Sequence, residues 1–229
     1  MKIHPRMLLN SAFRVSKNIL GQWTHSLVHR ILKDTPVFDI ERLSWKTVAI
    51  VWNAPFNQKF WQEIDAHDVV IRCNKWIVSP YIEPDMVGTK TDICLVWGIS
   101  VLLNRKVSEI IDTHTNIQLL TPYSLDEKEV AMNALVAKLQ FRDRLNFLSC
   151  ETMDPVLSIT PLGFRPSTGF VAMNLAIQTN TQAVNMYWFT FSDFNRIDHR
   201  SNQSVCHDFH HEKKMVLTLE EHGILSVCR

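Results

Sequence analysis

Thr47-Val48-Ala49-Ile50-Val51-Trp52 is an unbroken apolar run rich in β-branched residues, and it stops at Asn53-Ala54-Pro55. A run without polar alternation suits a strand covered on both faces, as in a parallel sheet, and Asn-Ala-Pro is a turn signal. The pattern then repeats. Residues 56–64 read as a short helix, and Asp68-Val69-Val70-Ile71-Arg72 as a second strand ending in Cys73-Asn74-Lys75. Residues 80–90 read as loop, with Gly88-Thr89-Lys90-Thr91-Asp92 just ahead of a third strand at 93–97. Beyond it, 101–112 reads as helix, 117–121 as strand, and 127–141 as an amphipathic helix of good helix formers. Residues 147–150 and 156–160 read as short strands, 183–190 as another, 209–222 as helix and 224–227 as the closing strand. Strands alternating with helices define an α/β class with a mainly parallel sheet. No repeat or internal break divides residues 34–229, which are expected to form one domain.

This architecture directs attention to particular residues, because open α/β sheets bind ligands beyond the carboxyl ends of their strands. Asn53 and Asn74 each end a strand there. A third feature is Arg165-Pro166-Ser167-Thr168-Gly169-Phe170, a turn feeding an apolar helix that runs to about residue 179. Pro166 disfavours helix before it, Ser167 or Thr168 can cap the helix, and Gly169 permits close approach to the backbone. Such a start is either an ordinary capped helix or a seat for an anion, whose charge the free N–H groups favour. No G-x-G-x-x-G follows the first strand, which argues against a dinucleotide site, and no P-loop motif is present.

Composition narrows the partners. The 229 residues are 46% apolar and 21% charged, with a net charge of +1, so nothing points to nucleic acid. Five cysteines, at 73, 94, 150, 206 and 228, include no C-x-x-C pair, and no secretory signal is legible. The thiols are expected to be reduced and the compartment cytoplasmic. Residues 1–33 carry six Lys or Arg and no acid, with Leu9, Phe13, Leu20, Trp23, Leu27 and Ile31 near helical spacing. This segment reads as a basic amphipathic helix. It either lies on an anionic membrane surface, as a peripheral anchor at the inner face, or packs on the domain.

The densest chemistry lies in Cys206-His207-Asp208-Phe209-His210-His211-Glu212. Three readings stay open for it: a metal site, a general base with an acid beside it, or a helix start with solvated side chains. The spacing is not H-E-x-x-H, which weakens a zinc hydrolase. The seven tryptophans are mostly expected in the core, with Trp76 and Trp97 at strand ends. Arg72 and Lys90 are plausible anion partners, although a solvated surface is the commoner fate of a lone cation.

These stretches together resemble a known family. Residues 48–55, 64–74 and 87–92 look like the large sialyl motif of the family 29 sialyltransferases. Pro166-Ser167-Thr168-Gly169-Phe170 with the strand at Met186-Tyr187-Trp188-Phe189 resembles their small motif, and His207 through Glu212 their very small motif. The resemblance implies a single Rossmann-like domain of the sialyltransferase-type GT-A variant. It also implies inverting transfer of sialic acid, or of a related 2-ulosonic acid such as Kdo, from a CMP-sugar donor to a glycan or glycolipid hydroxyl. It implies, too, that no metal or other cofactor is required. By the same resemblance Asn53 and Asn74 would contact the nucleotide, and Ser167, Thr168 and Gly169 its anionic part. His207 would be the base and Glu212 its structural or electrostatic partner. His199, with Arg200 behind it, is the poorly fitting candidate for the leaving phosphate. The chain departs from the family in having Trp52 where a Gly is usual, and Ala54 for a second Gly. It also lacks the cysteines of the animal enzymes' bridging disulfide, which suggests a short, bacterial-type relative. Trp52 either narrows the nucleotide site or packs in the core.

Overall fold

The apolar run at 47–52 does form the central strand. The computed structural model describes residues 36–52, 58–74, 83–96, 109–110, 118–121, 145–189 and 207–228. The elements are β1 (Thr47–Val51), α1 (Trp61–Ala66), β2 (Val69–Cys73), the one-turn α2 (Pro84–Val87), β3 (Ile93–Leu95), β4 (Gln118–Thr121) and β5 (Leu145–Phe147). They continue with α3 (Cys150–Ser158), α4 (Thr168–Ile177), β6 (Ala183–Tyr187), α5 (Phe209–Glu221) and β7 (Ser226–Cys228). The seven strands form one sheet in the order β5-β4-β3-β2-β1-β6-β7, and every pairing is parallel.

Strand order positions the site. The chain walks outward from β1 to β5, then returns to place β6 and β7 on the other side of β1. The direction of winding therefore reverses between β1 and β6, and a crevice opens where neighbouring connections diverge. The alternation along β1 explains its unbroken apolarity. Val48 and Ile50 join one core cluster while Ala49 and Val51 join the other, so both faces are covered.

Helix α4 is the central element of the first cluster. Every residue from Thr168 to Ala176 is buried, and Asn174 satisfies its amide by donating to the Phe170 carbonyl at 2.8 Å. A helix apolar all round is stable only when surrounded, and α4 packs against β1, β2 and β6. Each fully buried aliphatic or aromatic side chain contributes roughly 1.5–3 kcal/mol.

Some local expectations are corrected. Residues 156–160 are not a strand: α3 covers Cys150–Ser158. Ser149, expected within a strand, caps α3 by accepting from Thr152 N–H at 3.1 Å, and Thr152, Met153 and Val156 then fall on one buried face. A cap plus helical spacing outweighs a short β-branched run. Residues 36–46 hold a 3-10 turn at Ile40–Leu43, and α2 lies within the stretch expected as loop at 80–90. Trp45 is no core residue: it is 77% exposed. The helices expected at 1–33 and 127–141, and all but two residues of 101–112, lie outside the described residues, as do Trp76 and Trp97.

Candidate active site

Three consecutive residues at the start of α4 each fasten a different element. Ser167 is the N-cap and accepts from Phe170 N–H at 3.3 Å. Its own N–H and O–H donate to the two carboxylate oxygens of Glu212, at 2.6 and 2.5 Å, in the first turn of α5. Thr168 Oγ1 accepts from the Asn74 side-chain amide at 2.9 Å, at the end of β2. Gly169 lies on the indole of Trp52, just past β1: a Cβ there would stand 1.8 Å from the ring. Only glycine fits at that contact. Trp52 is buried and pairs with Phe189, their ring centroids 5.1 Å apart, which settles it in the core.

The seat therefore forms where the chain reverses its winding. It is flanked by two residues in the left-handed region, Asn74 (φ 55°) after β2 and Trp188 (φ 59°) after β6. Such backbone is costly outside glycine and persists where surroundings hold it, commonly at functional sites. Asn74 is held by both ends. Its amide reaches Thr168, and its carbonyl accepts from the Cys94 thiol at 3.6 Å. Burial pushes that thiol up to about 12, so it stays an S–H donor.

Ser167 spends its N–H and O–H on Glu212, so the anion at this point is supplied by the protein itself. The distances are those of charge-assisted hydrogen bonds. Glu212 is only 4% exposed, and burial pushes its carboxyl up to about 7; the two Ser167 bonds pull it down, and nearby Asp208 adds to the rise. Thr168 and Gly169 present the first N–H groups of α4, which have no acceptor within a helix. Since Thr168 Oγ1 accepts from Asn74, its own hydrogen is left to donate elsewhere.

His207 joins this unit from the other side. Its Nδ1 lies 2.7 Å from the Arg165 carbonyl, two residues before Ser167. A carbonyl only accepts, so Nδ1 carries the hydrogen and, in the neutral ring, Nε2 holds the lone pair. His211 Nε2 likewise donates to the Ile159 carbonyl at 2.9 Å. Asp208 caps α5 by accepting from His211 N–H at 3.0 Å. The His-rich cluster thus diverges toward separate partners. Among the described residues, no three His, Cys, Asp or Glu side chains are grouped to hold a metal ion.

Of the residues singled out from sequence, the structure brings together Asn74, Ser167, Thr168, Gly169, His207 and Glu212. Asn53, His199 and Arg200 lie outside the described residues. Arg72 and Lys90 stand elsewhere, in a polar clamp before β3. Arg72 is wholly buried and donates to the carbonyls of Val87 and Lys90 and to Thr91 Oγ1, at 2.9–3.1 Å. Sequence reasoning missed the partnership of Trp52, Gly169 and Phe189. Its one legible signal was a Trp standing where a Gly was expected.

Comparison with known proteins accords with this arrangement. Residues 7–224 match the model of glycosyltransferase family 29 (sialyltransferase). No curated protein matches. Among solved structures, the chain is similar to that of a mammalian sialyltransferase, with a TM-score of 0.66 and 15% identity, covering 99% of this chain and 86% of the other. The structure of a mammalian sialyltransferase in complex with Gal-beta-1-3GalNAc-ortho-nitrophenol matches with the same score and coverage at 14% identity. The chain belongs to glycosyltransferase family 29, the sialyltransferases, and is a glycosyltransferase enzyme.

Proposed function

We propose that this enzyme transfers sialic acid, or a related 2-ulosonic acid, from a CMP-sugar to a hydroxyl of a glycan or glycolipid, with inversion and without a required metal. The observation that carries the reading is the His207–Arg165 hydrogen bond, which mounts a tautomer-defined imidazole on the segment that starts α4. His207 Nε2 takes the acceptor hydroxyl's proton as the oxygen attacks the anomeric carbon. The bond from that carbon to the phosphate oxygen breaks, and its electron pair leaves with CMP. Charge building on the phosphate is met by the N–H groups of Thr168 and Gly169 and by the Thr168 hydroxyl, aimed by Asn74. Asn53 completes the nucleotide contacts, and His199 or Arg200 meets the leaving phosphate. Ser167 acts through Glu212, holding α5, whose start His207 precedes, against the donor seat. A glycan acceptor is supported by the similar fold that was solved with Gal-beta-1-3GalNAc-ortho-nitrophenol.

A thermal-shift panel of CMP, UDP, GDP and divalent metals tests this reading. A rise in melting temperature selective for CMP is expected. A metal shift with no CMP effect would sink the proposal in favour of a metal-dependent hydrolase using the His207–Glu212 cluster.

A further inference from the structure

Two large exposed apolar side chains stand two residues apart on one tight turn. Phe164 N–H donates to the Pro161 carbonyl at 3.0 Å, and Gly163 takes the left-handed φ of 88° that such a turn requires. Leu162 is fully exposed and Phe164 is 40% exposed. The turn is anchored on both sides, because Ile159 and Arg165 offer their carbonyls to His211 and His207 of the neighbouring segment. The result is a stiff apolar projection with His207 on its flank. Cations accompany it in the sequence: Arg165 follows Phe164 and is exposed, and exposed Lys213 and Lys214 follow His211, the residue of α5 that holds Ile159. Among the described residues, the other exposed large apolar side chains, Val37, Trp45, Trp61 and Ile224, are scattered along the chain. Single exposed apolar residues are ordinary on a protein surface. A stiff apolar tip backed by cations is the arrangement of an interfacial anchor, in which apolar groups enter the acyl boundary and cations meet anionic headgroups.

We propose that the Leu162–Phe164 turn inserts into the surface of an anionic lipid bilayer and so brings the His207 flank to acceptors anchored there. The membrane contact stands on the turn itself; delivery of acceptors rests on the transferase reading above. The test is co-sedimentation of the full chain with phosphatidylglycerol vesicles and with phosphatidylcholine vesicles. Leu162→Asp/Phe164→Asp should bind the anionic vesicles roughly tenfold more weakly than wild type. The N-terminal segment is common to both proteins, so any contribution it makes cancels in that comparison. Wild type should favour the anionic vesicles and release at high salt. Equal binding by variant and wild type would overturn the proposal. So would unchanged vesicle binding with a selective loss of transfer to soluble glycosides bearing an apolar aglycone, which would make the turn an acceptor contact. Should the double variant melt early, Leu162→Ser provides the same comparison at a side chain exposed throughout. Loss of vesicle binding in a chain that transfers to no soluble glycoside supports the membrane contact and counts against the transferase reading alone.

Discussion

Two polar segments use similar residues to opposite ends. The loop before β3 contains Gly88, Thr89 and Lys90, and the start of α4 contains Ser167, Thr168 and Gly169. In the first, everything closes inward. Asp65 accepts from Thr89 N–H, Thr89 O–H and Lys90 N–H at 2.9–3.1 Å, and a Cβ on Gly88 would stand 2.2 Å from that carboxylate. Lys90 Nζ donates to the carbonyls of His67 and Asp68, and Arg72 fills the space beneath. In the second, the groups are shared among three elements, and the first N–H groups of the helix have no acceptor within it. The difference is position. The clamp lies at the amino ends of the strands, where the loop leads into β3, and the α4 start lies at the carboxyl ends beside the change of winding. Residue type alone does not separate a structural clamp from a ligand seat.

The sharpest break would come from His207→Ala. Transfer should fall by roughly 10²–10⁴-fold with CMP binding retained, as for loss of a general base. Unchanged turnover would remove the base assignment and leave the α4 start as a binding seat only.

On the clamp side the effect should be on stability and not on chemistry. Arg72→Met strands the buried carbonyls of Val87 and Lys90 and should cost roughly 3–5 kcal/mol in denaturant unfolding. Purified, folded variant with ordinary stability but no CMP binding would place Arg72 in the ligand site and erase the contrast.

Glu212 sharpens the comparison through pH. Its carboxyl is pushed from 4.5 to about 7 by burial, so between those values the native chain keeps a proton that the unfolded chain has lost. Stability therefore falls as pH rises through that window, by on the order of 3 kcal/mol, and levels off above it. Glu212→Gln should flatten the curve there. A variant profile parallel to wild type would show that the Ser167–Glu212 pair does not titrate in this range.

The smallest effect tests the packing of the seat. Gly169→Ala drives a methyl into the Trp52 ring and should destabilise by about 1–3 kcal/mol. Trp52→Leu in the same chain should recover much of that loss, and a double-mutant cycle with no coupling would deny the contact.

Much of this was legible before any coordinates. The unbroken run of β1 announced a strand covered on both faces, and Ser167 followed by an apolar stretch announced a capped, buried helix. The His-x4-Glu segment stood out as chemistry. What misled was local. Residues 156–160 look like a strand by composition, yet Ser149 caps a helix that runs on through Ser158. Arg72 looks like a surface cation, yet it is sealed under α2 and β3 by backbone carbonyls far away in sequence.

By itself the sequence determined the α/β class, the parallel sheet and the short list of chemical groups, because periodicity, caps and motif order are properties of neighbours along the chain. Only the tertiary structure decided what each group does. It fastened Glu212 to Ser167, turned His207 by a hydrogen bond to Arg165, and laid Gly169 on Trp52. Those partners are 42, 45 and more than 100 residues apart, and in the described residues only the crossing of α4 over β1, beside the start of α5, brings them within a few ångströms.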